Sequence, residues 1–108
     1  MAHPTHVHGY SHAVVASGRI PEDVNDLNEW VKAENKAGNI DRNLVDPPLK
    51  DSIQTLPGGY IVTRIEADNP GYWAWHCHIS YDAFTGQAFV LKVGDSQDWD
   101  VPQDVPTC

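Results

Sequence analysis

The stretch Tyr72-Trp73-Ala74-Trp75-His76-Cys77-His78-Ile79 decides how this chain is read. It follows the turn signal Asp68-Asn69-Pro70-Gly71 and reads as a strand. Successive side chains on a strand point to opposite faces. Trp73, Trp75, Cys77 and Ile79 therefore share an apolar face, and Tyr72, Ala74, His76 and His78 share the other. The three-residue motif His76-Cys77-His78 is split between two sites, a thiol on one side of the sheet and two imidazoles on the other. Imidazole is the commonest protein ligand for metals, and thiolate is a soft ligand suited to copper or zinc.

Working outward, Tyr60 to Ala67 alternates, with Ile61 and Ile65 on one face and Val62 on the other. Pro57-Gly58-Gly59 separates it from a strand over Ser52 to Leu56. Downstream, residues 80–86 read as a loop and Gln87 to Val93 as the last strand. An acidic, proline-bearing tail follows, irregular over 95–108, with Trp99 as its only large apolar anchor. At the other end a strand is expected from about Thr5 to Ala16, closed by Ser17-Gly18. Between these strands lies one helical insert near residues 21–38. Pro21 suits a first helical position, and Glu22 and Asp23 suit the positive end of the helix dipole. Val24, Leu27 and Val31 recur at helical spacing with Trp30 beside them, and Gly38 is the stop. Residues 39–52 read as irregular around Pro47-Pro48. Short strands, Gly/Pro turns and one helix predict an all-β, antiparallel sandwich or small barrel.

A second histidine cluster, His3-Pro4-Thr5-His6-Val7-His8, obeys the same period. His6 and His8 share a face, and His3 is out of phase unless Pro4 bends the chain. One His-x-His pair arises often by chance, and a buried Cys is usually an inert small hydrophobe. Two such pairs, one bracketing a Cys and one preceded by His-Pro, point instead to a metal. Trp73 and Trp75 read as core packing rather than redox relays. His12, at the start of an apolar run, reads as a structural histidine with its hydrogen bonds satisfied.

With 108 residues the chain holds one domain, 1–108. Its 41% hydrophobic and 20% charged content is that of a folded globular unit. Fifteen Asp+Glu against 7 Lys+Arg, a net charge of −8, exclude nucleic acid and anionic membrane as partners by repulsion. Two cysteines build no disulfide framework. No apolar run reaches the ~18 residues of a membrane span. Met1-Ala2-His3-Pro4 carries no visible signal peptide.

These motifs carry a resemblance. His3-Pro4-Thr5-His6-Val7-His8-Gly9 resembles the His-Pro-x-His-Leu-His-Gly motif of multicopper oxidases. His76-Cys77-His78-Ile79 resembles the second motif of their C-terminal cupredoxin domain. Lys50-Asp51-Ser52, Leu56-Pro57-Gly58-Gly59-Tyr60 and Ala67-Asp68-Asn69-Pro70-Gly71-Tyr72-Trp73 resemble its connecting strands. The helical insert with Arg42-Asn43-Leu44 and Pro47-Pro48 looks most like animal laccases. The resemblance implies a Greek-key fold of cupredoxin type and copper as cofactor. It implies His3 and Cys77 as type 1 ligands, His6 as a type 2 ligand, and His8, His76 and His78 as type 3 ligands. Cys77, His76 and His78 would relay electrons from a phenol or metal ion to dioxygen, which is reduced to water. It also implies a secreted protein.

The chain departs from the family pattern at two type 1 positions. Asp82 stands where the motif has its last His, and Gln87 stands where an axial Met is usual. Gln is an accepted weak axial ligand, whereas a carboxylate is harder and anionic. Asp82 either ligates the metal, points to solvent, or yields its place to another residue such as His12. Four histidines make only half of a trinuclear cluster, so an N-terminal cupredoxin domain or another subunit is expected to complete it. The strands that precede the first motif in the family are absent here, which is expected to leave sheet edges and apolar surface exposed. The alternatives are a non-catalytic copper- or zinc-binding module with a degenerate type 1 site, and a decayed domain that binds nothing tightly. Cys108 reads as an unpaired end or one half of a disulfide to another domain.

Overall fold

The computed structural model describes residues 2–99; Met1 and residues 100–108, with Cys108 and most of the tail, lie outside the described residues. In chain order the elements are β1 (His3–Val7), β2 (His12–Arg19), α1 (Leu27–Ala37), β3 (Leu49–Lys50), β4 (Ser52–Thr55), β5 (Gly59–Arg64), β6 (Gly71–Cys77), α2 (Ser80–Phe84) and β7 (Ala88–Val93). They form two antiparallel sheets, ordered β4-β1-β6-β7 and β3-β2-β5. The all-β sandwich with one long helical insert is thus present. It is not a closed barrel: β4 and β5 lie at edges of different sheets. A cleft of about 530 Å³, lined by Val14, Arg19, Ile53, Leu56, Tyr60 and Ile61 among others, opens there.

The expected strand from Thr5 to Ala16 is two strands in different sheets. Gly9 makes the break with a φ of 75°. A side chain there would be strained, and a Cβ would come within 2.3 Å of the Trp73 ring. The apolar run Ala13–Ala16 therefore belongs to the second sheet. In β2 the pairing with β5 slips between Val14 and Ala16, a bulge, and Val15 and Ala16 are both buried.

The helix starts at Leu27, six residues later than Pro21 suggested. Asp26 is the reason: it is extended, and its carboxylate accepts the Glu29 N–H at 3.0 Å, an N-cap stronger than the Pro21 signal. Pro21 instead opens a turn, with its carbonyl accepting the Val24 N–H. Gly38 ends the helix in the left-handed region as expected. No residue of α1 is buried, so its apolar stripe packs only lightly, Trp30 approaching Tyr60. Within the segment read as irregular, β3 adds a two-residue pairing to β2.

The buried apolar residues are Val7, Val15, Ala16, Ile20, Ile40 and Cys77, joined by His12 and Asp82. The core therefore lies behind β1, β2 and the end of β6. Phe84, Val45 and Tyr81 are 91%, 83% and 74% exposed, so much large apolar surface remains uncovered. Trp99 anchors the end of the described chain: its ring meets Tyr72 and its indole N–H donates to the Val93 carbonyl. Among the described residues no helix is long and apolar enough to cross a membrane.

Candidate metal centre

β1 and β6 are neighbours, with Thr5 opposite Cys77, His6 opposite His76 and Val7 opposite Trp75. Residues directly opposite across a pair share a face. His3, two residues before Thr5, therefore falls on the Cys77 face by simple alternation, and no bend at Pro4 is needed. Pro4 stays within β1, and its carbonyl accepts the His78 N–H at 2.6 Å, carrying the pairing one residue past β6.

On the Cys77 face three donors converge. His3 Nδ1 lies 3.0 Å from Asp82 Oδ2, Cys77 Sγ lies 3.4 Å from the same oxygen, and Sγ and Nδ1 are 4.0 Å apart. Cys77 and Asp82 are buried and His3 half-buried. Asp82 is delivered by α2, where a loop was expected over 80–86. The Ala83 N–H bonds to the Ile79 carbonyl and the Thr85 N–H to that of Tyr81, winding a single turn that aims residue 82 inward. The Asp82 carbonyl accepts the Gln87 N–H at 2.9 Å and the Thr85 hydroxyl at 3.2 Å, which pins the turn. The solvent-facing alternative for Asp82 is thereby overturned, and His12 does not enter this group. Gln87 is exposed. Its backbone carbonyl holds the Cys77 N–H at 2.9 Å, and among the described residues its side chain makes no hydrogen bond to the three donors.

This donor triangle fits a metal. A circle through three atoms 3.0, 3.4 and 4.0 Å apart has a radius of about 2 Å, close to the ~2.0–2.3 Å of zinc-type bonds to N, O and S ligands. One thiolate, one imidazole and one carboxylate can hold copper or zinc.

On the other face His6, His8, His76 and His78 gather. Ring centroids are 4.8 Å apart for His6 and His8, 5.7 Å for His6 and His76, 5.9 Å for His6 and His78, and 5.5 Å for His76 and His78. His6 Nδ1 lies 2.8 Å from the Asp51 carbonyl and 3.0 Å from Ser52 Oγ. His76 Nδ1 lies 3.0 Å from the Cys77 carbonyl. A carbonyl only accepts, so Nδ1 carries the proton in both rings and Nε2 keeps its lone pair. Nε2 of His76 lies 3.2 Å from Nε2 of His8, an approach that a shared proton or cation stabilises. His8 and His78 are exposed and His6 and His76 half-buried, so the cluster opens to the surface.

His12 differs from expectation. It is fully buried against Trp75, at 4.9 Å between centroids, yet neither ring nitrogen has a hydrogen-bond partner. Burial lowers its pKa below 6.5, His6 adds to the effect, and the Asp51 carboxylate partly opposes it. Trp73 and Trp75 pack as expected, Trp73 over Gly9 and Trp75 stacked on Phe89.

The sequence reading missed the groups that orient these side chains. Lys50-Asp51-Ser52 reads only as a family-like strand start, with nothing to say that Ser52 and the Asp51 carbonyl meet the His6 ring. Asn69 sits in a turn correctly read, but its carbonyl accepts the Trp73 indole N–H at 2.8 Å and the Tyr10 hydroxyl. Its side-chain amide donates to the Gly9 carbonyl at 3.2 Å. It thereby locks the β1–β2 corner to the start of β6.

A two-sheet antiparallel sandwich with a largely buried His–Cys–carboxylate group behind an open imidazole cluster defines a β-sandwich metal-binding domain. Residues 1–97 match a family model described as multicopper oxidase. Laccase-13 of Arabidopsis thaliana is 36% identical over 111 residues, covering 98% of this chain. Laccase-3 of the same plant is 38% identical over 111 residues with the same coverage, and Laccase-2 of Oryza sativa subsp. japonica is 35% identical over 112 residues, 99% of the chain. A solved structure of a mutant of the laccase from B. aclada superposes with a TM-score of 0.60 at 32% identity, covering 86% of this chain and 15% of that one. The chain belongs to the multicopper oxidase family, as a domain homologous to laccases whose metal is copper. It spans 18% of the length of these curated relatives.

Proposed function

We propose that this chain is the C-terminal copper-holding domain of a laccase-like oxidase, a single unit over residues 1–108 in a secreted protein. In this reading it needs an N-terminal cupredoxin domain or another subunit, dioxygen, and a phenolic or metal-ion reductant. The observation that carries the reading is the two-faced β1–β6 pair, with His3, Cys77 and Asp82 on one side and His6, His8, His76 and His78 on the other. The likeness of the insert to animal laccases rests on Arg42-Asn43-Leu44 and Pro47-Pro48, while the curated relatives compared above are laccases of Arabidopsis and Oryza.

In this proposal His3, Cys77 and Asp82 would hold the type 1-like copper, and Gln87 would support the site through its backbone bond to Cys77. His6 serves as the type 2-like ligand, and His8, His76 and His78 as the type 3-like ligands. When bound, copper supplies one-electron transfer on the first face and dioxygen reduction on the second. The chain supplies position. The carbonyl of Asp51 and the Ser52 hydroxyl fix the His6 ring, and the Cys77 carbonyl fixes His76, so Nε2 of each faces outward. Cys77 is covalently continuous with His76 and His78, which makes the backbone between them the short route from one face to the other. Burial of Cys77 and Asp82 keeps water from the thiolate.

A copper titration of the chain, followed by phenol-oxidase and oxygen-uptake assays, tests this. Copper uptake without turnover by the chain alone, and turnover once an N-terminal cupredoxin domain is supplied, is the expected result. Robust turnover by the isolated monomer contradicts the need for a partner, and no copper uptake by a chelator-stripped chain removes the reading altogether.

A further inference from the structure

We infer that Asp82 makes the His3–Cys77–Asp82 site a low-potential centre that favours Cu(II) over Cu(I). The inference rests on the reading above and deepens it. The argument is one of charge. A thiolate, a carboxylate and a neutral imidazole sum to −2, which cancels a divalent ion and leaves Cu(I) with a net −1. The second anion is not a solvated bystander: Asp82 is 8% exposed and its Oδ2 lies within 3.4 Å of both other donor atoms. Excess charge in a buried site is poorly compensated by solvent, so the oxidised metal is the better tenant. Hardness acts in the same direction, because a carboxylate oxygen suits the harder Cu(II) and does little for the soft Cu(I).

No Lys or Arg among the described residues offsets this charge. Among the described residues the groups hydrogen-bonded to Asp82 are His3, Cys77, Gln87 and Thr85, and no Lys or Arg pairs with it. The turn of α2 faces the carboxylate inward, and the Gln87 N–H and Thr85 hydroxyl on the Asp82 backbone carbonyl fix that turn. For the complete oxidase the consequence is a narrower donor range. Copper held by His3, Cys77 and Asp82 would take up one electron from a phenolic donor, whose proton would pass to solvent, leaving a phenoxyl radical. A low-potential site accepts that electron from readily oxidised diphenols in preference to simple monophenols.

The test is a redox titration of the copper-loaded full chain carrying Cys108→Ser, so that Cys77 is the only thiol. The thiolate-to-Cu(II) absorption band is followed in the parent, in Asp82→His and in Asp82→Asn. The Asn variant keeps the shape and removes the charge, so it separates charge from a new imidazole. The preference for Cu(II) over Cu(I) is expected to be at least 100-fold greater in the parent than in either variant, which is about 120 mV for a one-electron couple. Equal midpoints in the parent and Asp82→Asn overturn the charge argument while the copper reading stands. A parent with no thiolate band that nonetheless binds copper elsewhere also overturns it. A parent that binds no copper at all fails the underlying reading instead.

Discussion

His12→Leu should make this protein more stable, a result few buried-residue substitutions give. The wild-type ring is fully inaccessible and both nitrogens lack partners. Each buried unsatisfied group costs about 1–3 kcal/mol. Leucine is close in volume and asks for no hydrogen bond, but it gives up the edge contact with Trp75, worth about 1 kcal/mol. The net expectation is a gain of about 2 kcal/mol at neutral pH. The pH dependence sharpens the test. The folded pKa of His12 is lowered, so the unfolded state binds its proton first as pH falls. This contribution to stability is complete above about pH 6.5 and is lost by up to about 1.4 kcal/mol per pH unit below that, until pH reaches the lowered folded value. Urea unfolding followed by tryptophan fluorescence, at pH 7.5 and 5.5, measures both effects. The leucine variant should be more stable at both values and should show a shallower loss on acidification. A variant weaker than wild type at pH 7.5 with the same acid slope would mean that the ring nitrogens are satisfied, and the reasoning would be wrong.

Two other outcomes follow from the geometry. Gly9→Ala places a Cβ within 2.3 Å of the Trp73 ring at a φ of 75°, so thermal unfolding should show a loss of more than about 2 kcal/mol. Copper binding at the imidazole face should weaken with it, because Gly9 follows His8 directly and the added Cβ pushes on Trp73 in β6, the strand that carries His76. Ser52→Ala removes one of two acceptors for the His6 Nδ1–H and leaves the Asp51 carbonyl. Competition with a copper chelator should show a loss below about tenfold, less than removal of a whole outer-shell support.

The site was readable where side-chain period alone fixes position. Alternation separated Cys77 from His76 and His78, and it correctly paired His6 with His8. It left His3 out of phase, and only the register of β1 against β6 shows that this phase is what puts His3 on the Cys77 face, with no bend at Pro4. What could not be read depends on contacts distant in sequence. The break at Gly9 is decided by Trp73, 64 positions away, so a continuous apolar run looked like one strand. The turn of α2 has no side-chain cap and only five residues, too few for a periodic signal, yet it decides that Asp82 faces the thiol. His12 looked ordinary because nothing local says whether a partner will reach its nitrogens. The start of α1 was misjudged because Asp26 and Pro21 compete as start signals, and the hydrogen bond to Glu29 settles it in favour of Asp26.

His3 and Asp82 are 79 positions apart, and Cys77 lies beside Asp82. A metal joining them would act as a crosslink between the first strand and the last third of the chain. Closing a loop of that size removes conformational freedom from the unfolded ensemble, on the order of 4 kcal/mol in the chain-entropy account. The same ion that accepts electrons would then double as a clasp for a domain with few buried apolar residues. Chelation would loosen the fold as well as silence the chemistry, and refolding without metal would be slowed at the step where β1 meets β6 and α2.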